Sequence, residues 1–168
     1  MEAINRLTTQ FVDLEDRIQV TGATAMGRAV TLWLPQRLLN RVVPALCKRL
    51  DPTEGKDVRA EVKNSFAQQV AVQALTPQPV VKSQPGAGVF TIRSISIKTE
   101  PKMTQIIFDE SIKQDGGRFA VTFNDQALRQ WLSILHSQYI KAEWSLQPWP
   151  EWVATAKQSN PGSAVVVH

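Results

Sequence analysis

The fold prediction begins from residues 106–139, IIFDESIKQDGGRFAVTFNDQALRQWLSILHSQY. Large apolar residues recur at every second position in 118–123, at Phe119, Val121 and Phe123, which is typical of a half-buried antiparallel strand. Asp115-Gly116-Gly117 suits the turn of a hairpin between 103–108 and 118–123, because glycine readily takes the positive φ such a turn needs. Asn124 can cap the helix that follows. The apolar stripe of that helix, at 3.6-residue spacing, is Leu128, Trp131, Leu132, Leu135 and Tyr139.

A second stretch, RIQVTGATAMGRAVTLWLPQRLLNRVVPALCKRL at 17–50, has the same construction. In an ungapped alignment with 106–139, Ile18 falls on Ile107 and Gly27 falls on Gly116. Both stretches therefore predict a strand, a glycine-containing turn, a strand and an amphipathic helix. The match is one of pattern and not of identity, so duplication and chance similarity of two ββα segments both remain open.

The remaining strands and the middle helix follow from the same periodicities. Val12, Leu14, Ile18 and Val20 alternate with polar residues and predict one strand face, and 89–98 predicts another strand with a bulge near Arg93–Ser94. Residues 57–75 predict a helix whose inward face carries Val62, Phe66 and Val70. The proline- and glycine-rich stretch 76–88 predicts a loop or extended linker.

Together these elements predict the α+β class. We expect a mixed, mainly antiparallel sheet of about five strands with three main helices packed against one face. The expected organisation is a first ββα unit at 1–50, a central helix and connector at 51–88, and a βββα unit with a Trp/Pro-rich segment at 89–157. A flexible tail is expected at 158–168.

The composition of the chain argues against a membrane-spanning, a secreted or a disulfide-rich protein. The chain has 168 residues, 43% of them hydrophobic, with a formal net charge of +4. No apolar run approaches the ~20 residues of a membrane-spanning helix, and the start MEAINRLTTQ has no apolar signal core. Cys47 is the lone cysteine, which excludes an internal disulfide framework. We expect a cytoplasmic protein that does not associate with a membrane.

The sequence lacks the motifs of most enzyme classes. It has no spaced histidine or cysteine pairs for zinc, no calcium loop, and no glycine-rich phosphate loop between a strand and a helix. His136 and Cys47 flank apolar helix faces, where a boundary residue is more common than a catalytic one. The acidic cluster Asp13, Glu15 and Asp16 is interpreted as a solvated strand face. The prediction is a non-catalytic protein without a cofactor or metal.

Two features remain as candidate contact surfaces. Between Asp16 and Asp51 the chain has six basic residues and no acidic one, and Arg37, Arg41 and Lys48 share the helix face opposite the apolar stripe. Trp149 and Trp152 lie in a Pro-interrupted segment that either covers the sheet or contacts a partner.

The sequence therefore predicts a protein-interaction module, such as an adaptor or assembly subunit of a cytoplasmic complex. Its partner would be another protein, a second copy of the chain included. The predicted partner-binding residues are Arg37, Arg41, Lys48, Arg49, Trp149 and Trp152. The alternative is a nucleic-acid-binding protein that uses the basic helix face, although aromatic residues that could stack on bases are not interleaved with these cations.

Overall fold

The structure is a computed structural model that describes residues 1–110 and 117–156. Asp115 and Gly116 of the predicted turn, and the predicted tail 158–168, lie outside these ranges. Within them, no helix is both long and apolar enough to span a membrane.

The described residues form one seven-stranded mixed sheet and four α-helices, so the predicted α+β class is confirmed. The strands are β1 Glu2–Val12, β2 Arg17–Thr24, β3 Ala29–Leu34, β4 Gly88–Thr91, β5 Ser94–Glu100, β6 Met103–Asp109 and β7 Arg118–Asn124. The helices are α1 Gln36–Leu50, α2 Val58–Gln73, α3 Asp125–Lys141 and α4 Glu151–Thr155. The order of strands across the sheet is β4-β3-β2-β1-β7-β6-β5.

The prediction of five strands is wrong, and the first error lies at the N-terminus. The alternation through Val12, Leu14 and Ile18 spans a break, because a 3₁₀ turn at Asp13–Glu15 separates β1 from β2. Leu14 at this turn is 97% exposed. Most of β1 precedes the predicted strand and lacks a clear period of two, since Leu7, Thr8 and Thr9 are all buried and both faces of the strand are covered.

The second error concerns 89–98, which is divided between two strands. At the predicted bulge the chain passes from one end of the sheet order to the other. The Ile92 N–H donates to the carbonyl of Trp33 beside β4 at 3.0 Å, and the Arg93 N–H donates to the carbonyl of Asp109 in β6 at 2.9 Å. Because β4 pairs with β3 while β5 pairs with β6, this crossing requires the sheet to curl.

The two halves of the sheet share a topology. In β1-β2-β3-α1 and in β5-β6-β7-α3, three antiparallel strands precede a helix, and the two sets meet where β1 runs parallel to β7. The strand registers of the two halves differ. Ile18 in β2 pairs with Leu34 in β3, whereas Ile107, on which Ile18 falls in the sequence alignment, pairs with Ala120 in β7. The structural correspondence thus extends the predicted ββα pattern by one strand, and duplication remains a hypothesis.

Helix α3 packs on the sheet through its predicted stripe. The indole N–H of Trp131 donates to Thr9 Oγ1 at 3.0 Å, and its ring stacks on Phe123. The connector covers another part of the sheet, because Val81 is buried and its N–H donates to Thr8 Oγ1 at 2.9 Å. The connector therefore lacks regular structure and is anchored to the sheet at Val81, whereas most of its other residues are exposed.

The predicted orientation of α2 is wrong. Val62, Phe66 and Val70 are 65%, 67% and 46% exposed, whereas the buried residues of the helix are Asn64, Gln68 and Ala71. Polar groups of α3 explain this orientation: Arg129 donates to Asn64 Oδ1 at 2.7 Å, and Gln68 Nε2 donates to the Arg129 carbonyl at 2.8 Å. These hydrogen bonds offset part of the cost of burying Asn64 and Gln68, although Gln68 Oε1 has no hydrogen-bond partner among the described residues.

Candidate partner-binding site

A cavity of about 350 Å³ opens between the C-terminal half of α1, the loop that follows it and the segment before and within α4. Its lining combines aromatic and proline side chains with several carboxylates. The lining residues are Pro44, Cys47, Lys48, Asp51, Glu54, Gly55, Glu61, Gln147, Pro148, Trp149, Pro150, Glu151 and Trp152.

Trp149 and Trp152 form the aromatic part of the wall and are largely buried. The ring of Trp149 meets Tyr139 edge to face at a centroid distance of 5.2 Å. Trp152 lies in α4, and the guanidinium of Arg129 lies 5.2 Å from its ring centroid. Pro148 and Pro150 restrict the backbone on either side of Trp149. These contacts hold both indoles in place before any partner arrives.

The charged groups of the cavity are mainly acidic. Among the residues that the structure describes, the lining has four carboxylates, from Asp51, Glu54, Glu61 and Glu151, and one ammonium, that of Lys48. Lys48 Nζ lies 2.6 Å from Glu54 Oε1, and this hydrogen bond and charge lower the pKa of Glu54. The cation of the lining is therefore already paired with one carboxylate.

Two of the remaining carboxylates are available to a ligand. Glu61 lies in the first turn of α2, and Glu151 lies in the first turn of α4. Neither side chain makes a hydrogen bond or an ion pair with another residue in 1–110 or 117–156. Asp51 differs, because its Oδ1 accepts hydrogen bonds from the backbone N–H and the hydroxyl of Thr53.

The two candidate nucleophile or base residues are buried. Burial raises the pKa of the Cys47 thiol to about 12, although the charge of Arg129 partly opposes the shift. At neutral pH Cys47 is therefore a protonated thiol, which is a poor nucleophile. His136 is 2% exposed and contacts the ring of Trp149 edge to face.

The structure brings three of the six predicted partner-binding residues to the cavity: Lys48, Trp149 and Trp152. Arg37 and Arg41 lie on the exposed side of α1 and form no ion pair with another described residue. Arg49 is engaged elsewhere. Its guanidinium donates to the carbonyls of Glu100 and Pro101 and to Asp125 Oδ1, so it ties α1 to the β5–β6 turn and to α3.

The acidic residues near the end of β1 have local partners. Glu15 forms an ion pair with Arg17, and Asp16 Oδ1 accepts a hydrogen bond from the indole N–H of Trp144 at 3.1 Å. These residues lie at the turn between β1 and β2 and not on a strand face. No group of three or more His, Cys, Asp or Glu side chains in the described part of the chain could hold a metal ion.

Sequence reasoning missed the acidic part of the cavity. Asp51, Glu61 and Glu151 are far apart in the chain, so no spacing pattern connects them. A local signal existed only for Glu151, which lies between the two tryptophans in Trp149-Pro150-Glu151-Trp152. The contact of α2 with α3 and α4 brings the carboxylates together.

Neither a family model, nor a curated protein, nor a solved structure matches the chain.

Proposed function

We propose that the protein is a non-catalytic protein-interaction module whose cavity between α1 and α4 receives a basic side chain of a protein partner. The single observation that supports this is the lining itself: in the described part of the chain, two tryptophans and four carboxylates surround a cavity whose one lysine is already paired with Glu54. In this proposal the protein acts as an adaptor or assembly subunit of a cytoplasmic complex.

The shape and walls of the cavity suit a long cationic side chain. A volume of about 350 Å³ lies at the lower end of the range of small-ligand sites, which extends from roughly 300 to 1,000 Å³. Indole faces attract cations through their quadrupole, more strongly where water is excluded. A lysine or arginine side chain has an apolar stem for the proline and tryptophan walls and a charged end for the carboxylates.

Electrostatics favours a cation over an anion in the cavity. Glu61 and Glu151 would gain a partner when a guanidinium or ammonium group enters. An entering phosphate or carboxylate would instead meet these uncompensated negative charges, which costs energy in a partly buried site. A basic segment of a partner protein therefore matches the cavity, and an acidic segment does not.

The fixed positions of the tryptophans lower the cost of binding. Trp149 packs against Tyr139 and His136, so its rotamer is set in the unbound protein. Because immobilising a flexible side chain on binding costs roughly 0.5–1.5 kcal/mol, a wall that is already ordered retains more of the contact energy.

The test is calorimetric titration with a capped glycine/serine-rich heptapeptide that carries one central arginine. The control peptide carries citrulline, which keeps the shape of arginine without the charge. We expect the arginine peptide to bind and the citrulline peptide to bind at least tenfold more weakly. The double variant Glu61→Gln/Glu151→Gln should weaken arginine binding about five- to tenfold, since each exposed ion pair is worth at most about 1 kcal/mol.

Glu100→Gln is the matched control, because Glu100 is exposed at the far end of β5 and does not line the cavity. It should bind the arginine peptide like the parent protein. Equal binding of both peptides would contradict the proposal, and so would an unchanged affinity in the Glu61→Gln/Glu151→Gln variant. Binding of free capped arginine but not of the peptide would indicate a small-cation site instead of a protein-interaction site.

The second candidate function is nucleic-acid binding through the exposed side of α1. The observation that favours it is that Arg37 and Arg41 are exposed and have no ion-pair partner among the described residues. Lys48 and Arg49, however, are held by Glu54 and Asp125. Two free cations predict a shallow salt dependence with a slope near −2, and Arg37→Glu/Arg41→Glu should abolish any binding. Unchanged binding in that variant would exclude this function.

A further inference from the structure

The carboxylate of Asp51 is the most deeply buried acidic group of the cavity between α1 and α4, among the residues that the structure describes. Asp51 is 3% exposed, whereas Glu61 is half-buried and Glu151 is exposed. A buried charge is costly unless a cation or hydrogen bonds compensate it. A cation that enters the cavity would therefore gain most at Asp51.

The two oxygens of Asp51 differ in what they can still accept. Oδ1 accepts a hydrogen bond from the Thr53 backbone N–H at 3.1 Å and another from the Thr53 hydroxyl at 2.5 Å. No residue in 1–110 or 117–156 donates a hydrogen bond to Oδ2, and this atom is not fully enclosed by protein. A carboxylate oxygen has two acceptor positions, so Oδ1 is saturated and Oδ2 remains for a ligand.

One available oxygen suits an ammonium group better than a guanidinium group. Arginine binds a carboxylate most strongly through two parallel N–H···O bonds, one to each oxygen. The lysine ammonium is a compact point charge with three rotatable donors and does not need this fork geometry. The cavity itself contains such a contact, since Lys48 Nζ lies 2.6 Å from Glu54 Oε1.

The aromatic wall does not restore the advantage of arginine. A guanidinium group stacks on aromatic faces better than an ammonium group does. At Trp152, however, the guanidinium of Arg129 already lies 5.2 Å from the ring centroid, and a second guanidinium there would meet like charge. Trp149 is 9% exposed and packs edge to face with His136 and Tyr139, so little of its ring is open to stacking.

A buried donor in the same wall independently indicates a ligand. The indole N–H of Trp149 is buried and has no hydrogen-bond partner among the described residues, and Trp149 lines the cavity. Buried polar groups without a partner are rare in proteins. A lysine side chain has only donors, but the main chain beside it has carbonyl oxygens that can accept from this N–H. A lysine within a peptide segment can thus serve both Asp51 and Trp149.

From these contacts we infer that the cavity selects lysine over arginine, with the ammonium group of the partner's lysine bound to Asp51 Oδ2. The inference rests on the proposed function, because it specifies which basic side chain the cavity receives. Asp51 is then the specificity-determining residue. Thr53 is a positioning residue, because it occupies Oδ1 and so denies arginine its second hydrogen bond.

The test is calorimetric titration with three capped glycine/serine-rich heptapeptides whose central residue is lysine, arginine or acetyl-lysine. The parent protein should bind the lysine peptide about five- to tenfold more tightly than the arginine peptide. It should bind the acetyl-lysine peptide at least ~tenfold more weakly than the lysine peptide, because acetylation removes the charge.

Two substitutions change the ratio of the lysine and arginine affinities. Asp51→Asn keeps an oxygen for Thr53 but replaces Oδ2 by an NH₂ donor, so the lysine affinity should fall at least ~tenfold and the two affinities should agree within about twofold. Thr53→Val removes one donor from Oδ1, so the arginine affinity should rise about threefold while the lysine affinity changes less than about twofold. A general disturbance of the loop would weaken both peptides alike and leave their ratio unchanged.

Asp13→Asn is the matched control, because Asp13 is exposed at the β1–β2 turn and does not line the cavity. It should bind all three peptides like the parent protein. Far-ultraviolet circular dichroism verifies that each variant is folded. If Asp51→Asn does not fold, the ratio in the parent protein and its change in Thr53→Val decide the question.

Equal affinities of the parent protein for the lysine and arginine peptides would overturn the inference and leave the proposed function in place. So would a lysine preference that survives Asp51→Asn, or a Thr53→Val variant with the same ratio as the parent protein. If the parent protein binds neither the lysine nor the arginine peptide, the proposed function fails and the inference fails with it.

Discussion

The buried hydrogen bond between Arg129 and Asn64 should determine how α2 sits on α3. Arg129 is 9% exposed, donates to Asn64 Oδ1 at 2.7 Å, and lies over the ring of Trp152. Burial lowers the pKa of its guanidinium, although the charge of Asp125 opposes this shift. The perturbation is a double-mutant cycle with Asn64→Leu, Arg129→Met and both together, in which each replacement is apolar and similar in size.

The expected magnitudes follow from the contacts that are lost. Asn64→Leu leaves a buried cation without its shortest hydrogen bond, and bonds to charged groups contribute about 1.5–3 kcal/mol to the free energy of unfolding. Arg129→Met leaves Asn64 Oδ1 without its donor and removes a cation–π contact of about 0.5–2 kcal/mol, but it also removes a buried charge. The double variant should be more stable than the sum of the single effects predicts, by about 2 kcal/mol.

The assay is equilibrium unfolding in urea, with the dependence on denaturant checked so that changes in midpoint report stability alone. The control cycle uses Gln10 and Gln19, whose side chains form an exposed hydrogen bond at 2.9 Å across β1 and β2. Its coupling should stay below about 0.5 kcal/mol. Additive effects at Asn64 and Arg129, within about 0.5 kcal/mol, would refute the account of α2.

Three further predictions concern buried groups. Burial raises the pKa of the Cys47 thiol from 9.0 to about 12. At pH 8, Cys47 should therefore react with a disulfide reagent about 1,000-fold more slowly in the native protein than in the unfolded chain. Equal rates in the two states would contradict the burial of Cys47. Since burial raises the pKa values of Cys47 and Tyr139, the unfolded chain loses these protons first, and the free energy of unfolding should fall as pH rises above 9. Cys47→Ala should reduce that slope by up to about 1.4 kcal/mol per pH unit, as followed by urea titrations from pH 8 to 11, and an unchanged slope would argue against the shift. Val81→Ala should lower the free energy of unfolding by about 2 kcal/mol, because Val81 is buried. Val80→Ala is the control: Val80 is 45% exposed, and its replacement should lower the free energy of unfolding by less than about 0.5 kcal/mol. Equal losses of stability in thermal unfolding would mean that the connector is not packed on the sheet.

The sequence predicted best those elements whose hydrophobic pattern is compatible with only one structure. In α3 the stripe from Leu128 to Tyr139 is long and its opposite side carries Arg129, Gln130 and Ser133, so the helix and its sheet-facing side were both predictable. Strand β1 was not, because sheet and connector bury residues on both of its faces and remove the alternation.

The orientation of α2 could not be read from its own residues. The helix has one row with Val62 and Phe66 and another with Asn64 and Gln68, and hydrophobicity alone favours burial of the first row. The second row is buried because Arg129, distant in sequence, supplies hydrogen-bond partners for it. Such partners become visible only when the helices are assembled.

The candidate site was predictable in part for the same reason. The sequence singled out two tryptophans in a proline-rich segment and Lys48 on the basic side of α1, and the structure places all three at the cavity. The carboxylates that give the cavity its charge come from three separate elements, the loop after α1 and the first turns of α2 and α4. Their convergence is a property of the tertiary structure.

The most direct measurement for the proposed cavity uses the five tryptophan indole N–H signals in a ¹H–¹⁵N correlation spectrum. Trp149 and Trp152 line the cavity, whereas Trp33, Trp131 and Trp144 do not and serve as internal controls. Titration with the arginine peptide should shift the Trp149 and Trp152 signals and leave the other three in place, and the citrulline peptide should shift none. If the arginine peptide leaves Trp149 and Trp152 unmoved, or moves all five signals alike, the cavity is not the binding site for a basic partner.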